Sequence, residues 1–251
     1  MIFHAGRAAQ NGVEAALLTQ AGFTGPATVL EGDEGFFRAT TDRYDAAAAV
    51  ADLGRRFEID ETSFRPYFGC SSTIAASGAT AQILKRLKGR SGGDVREVTV
   101  HCNPVPARDN ADADPRTLLG ARLSLPFNIA LVLAKGDVFS TDLDEASLWD
   151  PNIRQFMPRV RLVSDPQMAR YGAHVQVRTK DGAMEERTIR EPRGSAEMPL
   201  LWDDVAEKFC RLVGPFTRES DARRVIDAVA AIDETDVAGL VETMRSVLPR
   251  S

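Results

Sequence analysis

Arg65 and the run Ser71-Ser72-Thr73 are the side chains best suited to holding an anion. A guanidinium offers a planar fork of donors that pairs with a carboxylate through two parallel hydrogen bonds. The three hydroxyl residues stand where a helix is predicted to begin, so their hydroxyls and the first free backbone N–H groups suit a second anionic group. Ser71 or Ser72 also reads as the helix cap, and the two roles are compatible. His4, one of three histidines, lies just before Gly6-Arg7 at a helix start. There its imidazole is placed either to exchange a proton near neutral pH or to bond the local backbone. His101 and His174 fall in strand patterns and read as structural or surface residues, and Cys70 reads as a small packed side chain rather than a nucleophile.

The elements that must position these groups follow from periodicity and from breaker residues. Apolar and small residues recur at helical spacing over 5–21 and stop at Gly22, Pro26 opens a helical turn over 26–30, and Asp45 caps a helix over 45–53. Residues 57–59 read as a short strand, 72–88 as a helix, and 95–101 as a strand ended by Pro104 and Pro106. Two helical stretches, 115–119 and 121–135, are expected with a break near Pro126, then a helix over 152–157 and a strand over 159–163. Two alternating runs, 174–179 and 184–190, flank Lys180-Asp181-Gly182, a hairpin signature. Helices return over 203–213, 220–231 and 237–247. The order of helices, mixed elements and helices predicts an α+β fold, with residues 1–54 and 200–251 forming part of an all-helical domain and 55–199 inserted as an α+β domain.

Composition narrows the partners. The 251 residues carry 31 basic and 36 acidic side chains, a net charge of −5, and are 43% hydrophobic and 27% charged, which is ordinary for a globular protein. The densest basic run, Lys85 to Arg90, falls at a predicted helix C-terminus, where cations complement the dipole, so nucleic-acid binding is not indicated. Apolar runs such as 129–134 fall far short of the roughly 20 residues of a membrane span. Three scattered cysteines, Cys70, Cys102 and Cys210, lack metal-ligand spacing and suit a reducing compartment, so the expectation is a cytoplasmic protein without a zinc site, and no cofactor is indicated.

Several segments, taken together and in order, resemble the MmgE/PrpD family, whose members include 2-methylcitrate dehydratase and cis-aconitate decarboxylase. They are His4-Ala5-Gly6-Arg7-Ala8-Ala9-Gln10-Asn11-Gly12, Gly22-Phe23-Thr24-Gly25-Pro26, Arg65-Pro66-Tyr67 with Cys70-Ser71-Ser72-Thr73, Ser124-Leu125-Pro126-Phe127, and Glu207-Lys208-Phe209. The match runs along nearly the whole chain but only along the later part of the family's length. The resemblance implies a helical domain ahead of the His-Ala-Gly segment, an inserted lid-like α+β domain, and metal-free chemistry on di- and tricarboxylates by water elimination, decarboxylation or epimerisation. Such chemistry needs a base beside a carboxylate, cations to hold the carboxylates and an acid for the leaving group.

The resemblance also marks departures. The family takes an Asp and a His from its upstream helical domain, and this sequence has no counterpart to them. Met1 stands where a lysine is common, Arg65 replaces the lysine of a Lys-Pro-Tyr pattern, Ile74 replaces a histidine, and Phe127 a frequent tyrosine. Arginine keeps a carboxylate-binding cation, whereas isoleucine transfers no proton. Two readings follow. In one, the chain is a lyase or isomerase fragment with His4 as catalytic residue, Arg65, Ser71, Ser72 and Thr73 as substrate ligands, and a site completed by a homodimer partner or by a separate helical-domain chain. In the other, it is an inactive relative that binds a carboxylate or oligomerises. The first helix presents Val13, Ala16 and Leu17 on one face, and without an upstream domain to cover them an apolar patch that drives association is expected.

Overall fold

In the computed structural model, residues 2–87, 89–136, 143–234 and 236–247 are described. The chain divides into two units, one up to Glu58 and one from Ile59 onward.

The first unit is helical. α1 (Ile2–Gln20) covers the expected segment, and α2 (Phe36–Thr40) and α3 (Ala46–Val50) follow. Asp45 caps α3 as expected, accepting hydrogen bonds from the backbone N–H groups of Ala47 and Ala48. Residues 27–31 form the turn expected after Pro26, with the Gly32 N–H bonded to the Thr28 carbonyl at 2.8 Å. The Phe37 and Tyr44 rings stack at 5.1 Å. Among the described residues of this unit only Gly35 is buried. Val13 and Leu17, one turn apart on α1, are 60% and 58% exposed. Such a segment buries too little apolar surface to offset the entropy of ordering its backbone.

The second unit holds the core. α4 (Ser71–Arg86) and β1 (Val95–Cys102) are followed by α5 (Pro104–Asp109), α6 (Leu118–Leu123), α7 (Leu125–Lys135), α8 (Glu145–Trp149), α9 (Pro151–Arg154) and β2 (Val160–Ser164). The chain closes with β3 (Ala173–Thr179), β4 (Met184–Ile189), α10 (Trp202–Val213), α11 (Glu219–Ala230) and α12 (Val237–Val247). The fold is α+β, with a four-stranded sheet in the order β2-β1-β3-β4. β1 runs parallel to β2 and antiparallel to β3, and β3 and β4 form the expected hairpin.

Alternation along β1 and β3 places Val98, Val100, Val175 and Val177 on one face, all fully buried. α4 and α7 pack against the sheet on this side. The opposite face carries Thr99, His101, His174 and Gln176, with the two imidazoles 5.4 Å apart and His174 Nδ1 2.8 Å from the Thr188 hydroxyl. These two histidines are sheet-surface residues.

α7 is apolar all round, and every residue from Leu125 to Leu133 is buried, as a central helix requires. The break expected near Pro126 falls instead at Ser124, which ends α6 and caps α7 by accepting from the Phe127 N–H at 3.0 Å. Pro126 then lies in the first turn, where its missing N–H costs nothing. α4 is built largely from small residues, so its backbone lies close to its neighbours; a Cβ on Gly78 would already touch Tyr67 at 3.4 Å and Ile189 at 3.6 Å.

Other expectations shift for local reasons. The strand expected over 57–59 is a 3-10 turn, Glu58–Glu61, because the four-stranded sheet offers it no neighbour. Pro104 ends β1 but also opens α5, capped by Asn103 through the Val105 N–H at 3.1 Å. α9 is shorter than the expected 152–157. Lys88, expected to end the α4 helix, lies outside the described residues. Among the described residues, no helix is long and apolar enough to cross a membrane.

Cys102, at the end of β1, is 1% exposed, and burial raises its thiol from 9.0 to about 11. Above pH ~9 the unfolded chain loses a proton that the folded chain keeps, so native stability falls as pH rises from there towards 11. A disulfide reagent at pH 8 is expected to label the half-buried Cys70 and Cys210 in the native protein and Cys102 only after denaturation. Prompt labelling of all three thiols would contradict this packing.

Candidate functional site

The α4 N-terminus opens onto a cavity of about 300 Å³ whose wall includes Glu61, Phe64, Arg65, Ser71, Ile74 and Arg193. Two loops form it. One runs from the Glu58–Glu61 turn to α4, and the other follows β4. They are joined backbone to backbone, the Phe64 N–H donating to the Gly194 carbonyl at 2.7 Å. Gly194 has a φ of +94°, and a Cβ there would strike the Phe64 carbonyl, so glycine is required on both counts. A neighbouring cavity of about 470 Å³ shares Ile74 and Arg193 and continues past Tyr67 and Gly78.

The turn into α4 is equally constrained. Gly69 has a φ of +116°, and a Cβ there would strike the Thr73 hydroxyl and lie 2.8 Å from Asn128 Oδ1. Asn128 is itself buried in α7; its amide donates to the carbonyls of Ser124 at 2.6 Å and Ala121 at 3.0 Å, while Oδ1 has no hydrogen-bond partner. Cys70 occupies the N-cap position of α4 and makes no side-chain capping hydrogen bond. Ser71 and Ser72 are therefore its first two residues rather than its cap, and among the described residues the helix's positive end has no side-chain acceptor.

The expected site residues separate. Arg65 and Ser71 line the same cavity. Ser72 is half-buried and lies outside both cavity walls. Thr73 is fully buried and its hydroxyl donates to the Cys70 carbonyl at 3.0 Å, so it does not face the cavity. His4 lies in the first unit, exposed in the first turn of α1. Ile74 is 3% exposed and borders both cavities, and Phe127 is fully enclosed in the α7 core.

Three further residues belong here. Arg193 lines the cavity and pairs through its guanidinium with Asp204 on α10 at 2.5 Å. The Leu201 N–H, and then Arg193, hold the Asp204 carboxyl below the usual carboxylate range. Lys208, one turn farther along α10, donates from Nζ to the Arg65 carbonyl at 2.5 Å. Burial, and then the nearby Arg65 charge, lower its ammonium from the usual lysine value. Arg193 carries no signal in sequence, since loop arginines are ordinary. Lys208 stands inside the Glu207-Lys208-Phe209 segment, where its type alone assigned no task. Among the described residues, no three His, Cys, Asp or Glu side chains gather as a metal-ligand set.

Residues 67–234 match the MmgE/PrpD C-terminal domain and residues 1–49 the MmgE/PrpD N-terminal domain, and the chain belongs to the MmgE/PrpD family. It is similar to the cis-aconitate decarboxylase-like protein oryM of Aspergillus oryzae, at 22% identity over 256 residues, covering 93% of this chain and 52% of that one. The chain thus spans about half the length of this curated relative.

The geometry at Gly69 yields a direct test. Gly69→Ala is expected to lower stability by ~1–3 kcal/mol through backbone strain alone, with more from the collision with Thr73. Urea unfolding measures it, and an unchanged midpoint would show that the turn into α4 is not fixed as described.

Proposed function

We propose that this chain is the carboxylate-binding part of an MmgE/PrpD lyase, taking di- or tricarboxylates of the 2-methylcitrate or cis-aconitate type. The observation that carries the reading is the pairing, in one cavity, of Arg65 with Ser71 at an α4 terminus whose N-cap residue, Cys70, makes no side-chain capping bond. Arg65 grips one carboxylate through its fork, and Ser71 with the first N–H groups of α4 receives another. Ser72 contributes a backbone N–H in this scheme, and the part assigned to Thr73 passes to its neighbours. His4 is the proton-transfer residue of the completed protein. Elimination of water or of carbon dioxide needs charge stabilisation from such donors and a base at the reacting carbon.

Completion comes from a helical body of the kind the family places ahead of the His-Ala-Gly segment, on the same polypeptide or on a partner chain. The exposed apolar residues of α1 support this, as does the matched half-length of the relative. In the proposed arrangement residues 1–54 and 200–251 belong to the helical body and 55–199 to a lid-like domain.

A second reading has its own support. Ile74 borders the cavity where the family resemblance sets a histidine, and an isoleucine side chain moves no proton. In this reading the chain binds carboxylates and turns nothing over.

The purified chain is to be assayed for loss of 2-methylcitrate or cis-aconitate, alone and mixed with a family helical domain. Turnover only in the mixture is expected for the lyase part, and binding without turnover in either case for the second reading. Turnover by the chain alone would overturn the claim that the site is incomplete. Light scattering of the chain alone is expected to show association through the α1 face. A monodisperse monomer would remove the argument for a covering partner.

A further inference from the structure

The cavity that holds Arg65 and Arg193 also carries Glu61, Glu191 and Glu197 in its wall. Among the described residues none of these three glutamates is in an ion pair with an arginine or lysine. An arginine free to swing in such a wall would pair with the nearest carboxylate and be lost to an anionic ligand. What restrains the two arginines is therefore part of the binding device.

The Arg65 guanidinium donates weakly to the Gly69 carbonyl at 3.5 Å, and α10 holds the Arg65 main chain and the Arg193 side chain. Asp204 and Lys208 are four residues apart, so they project from the same face of that helix. Asp204 takes the Arg193 guanidinium at 2.5 Å, and Lys208 fixes the Arg65 backbone at 2.5 Å. The Phe64 to Gly194 hydrogen bond ties the two loops between these points. Resting on the reading of the cavity as a carboxylate site, we propose that Asp204 and Lys208 form a two-point brace, with Lys208 the positioning residue for Arg65 and Asp204 the one for Arg193.

Lys208 suits this task better than an uncharged donor. Its ammonium gives three N–H donors on a long stem that reaches the Arg65 carbonyl from α10. Asp204 leaves Arg193 with donors to spare, since one contact at Nη2 uses only part of a five-donor fork. The same aspartate accepts from the Leu201 N–H at 3.0 Å and so locks the start of α10 to the pairing.

The test uses the full chain and tricarballylate, an unreactive tricarboxylate, as the probe in a titration. Lys208→Met is expected to weaken binding about tenfold. Its unliganded melting temperature should stay within about 3 °C of the parent. Lys208→Arg, which keeps charge and donors, should restore affinity to within about threefold. Asp204→Asn keeps the acceptor for Leu201 and loses the charge, and should weaken binding severalfold by releasing Arg193 to the glutamates. Unchanged affinity in Lys208→Met and Asp204→Asn would overturn the brace. If Arg65→Ala still abolished binding in the same assay, the carboxylate reading would stand without it. A large melting-temperature loss in Lys208→Met with no rescue by Lys208→Arg would also overturn it, by making Lys208 a packing residue. Binding unaffected by Arg65→Ala, or absent in the parent chain, would overturn both readings together.

Discussion

The burial of α4 on two sides, against the sheet and against α7, is the constraint on which the second unit depends. Ala75, Ala76 and Ala79 let the helix backbone approach its neighbours, and Ile83 anchors its far end among fully buried side chains. Each large apolar side chain removed from water there contributes roughly 1.5–3 kcal/mol, and the dense packing leaves the helix no room to slide. Its N-terminus is thus held at a fixed place in an open wall. The polar end of a helix becomes a dependable feature only because its apolar length is immovable.

The same logic explains the two glycines beside it. Gly69 and Gly194 sit where chain segments meet more closely than a methyl group allows. One brings the Arg65 segment round onto α4, and the other brings the loop after β4 onto the Arg65 segment. Neither loop is long, and each is bound at both ends by regular structure. The cavity is therefore a product of backbone geometry first and of side-chain chemistry second.

Much of this was legible in the residues. The hairpin through Asp181-Gly182, the strand of Val95 to Cys102 and the three closing helices follow from period and turn chemistry, and the structure has them within a few residues. The failures are informative because they concern context. Residues 57–59 look like a strand, but β-structure exists only with a neighbour to bond, which no local pattern reveals. Pro126 looks like a breaker, yet with the cap two residues before it, at Ser124, it sits in a helix's first turn. Thr73 looks like its neighbours Ser71 and Ser72, but 100° of helical rotation per residue sends it into the core. Arg65 and Ser71 were visible as a chemical pair, whereas Arg193, Asp204 and Lys208 join them from well over a hundred residues away, through tertiary contacts that spacing does not encode.

The central place of β1 in the sheet has a consequence for how the chain comes to its fold. β1 is the first of the four strands in sequence, yet its partners are β2, starting at Val160, and β3, starting at Ala173. During synthesis Val95, Val98 and Val100 leave the ribosome with nothing to pair with until some sixty further residues have followed, an interval of about 3–12 s at ordinary elongation rates. The β3–β4 hairpin can close locally at once, whereas β1 gains both its neighbours through non-local pairing, the slower kind of contact to form.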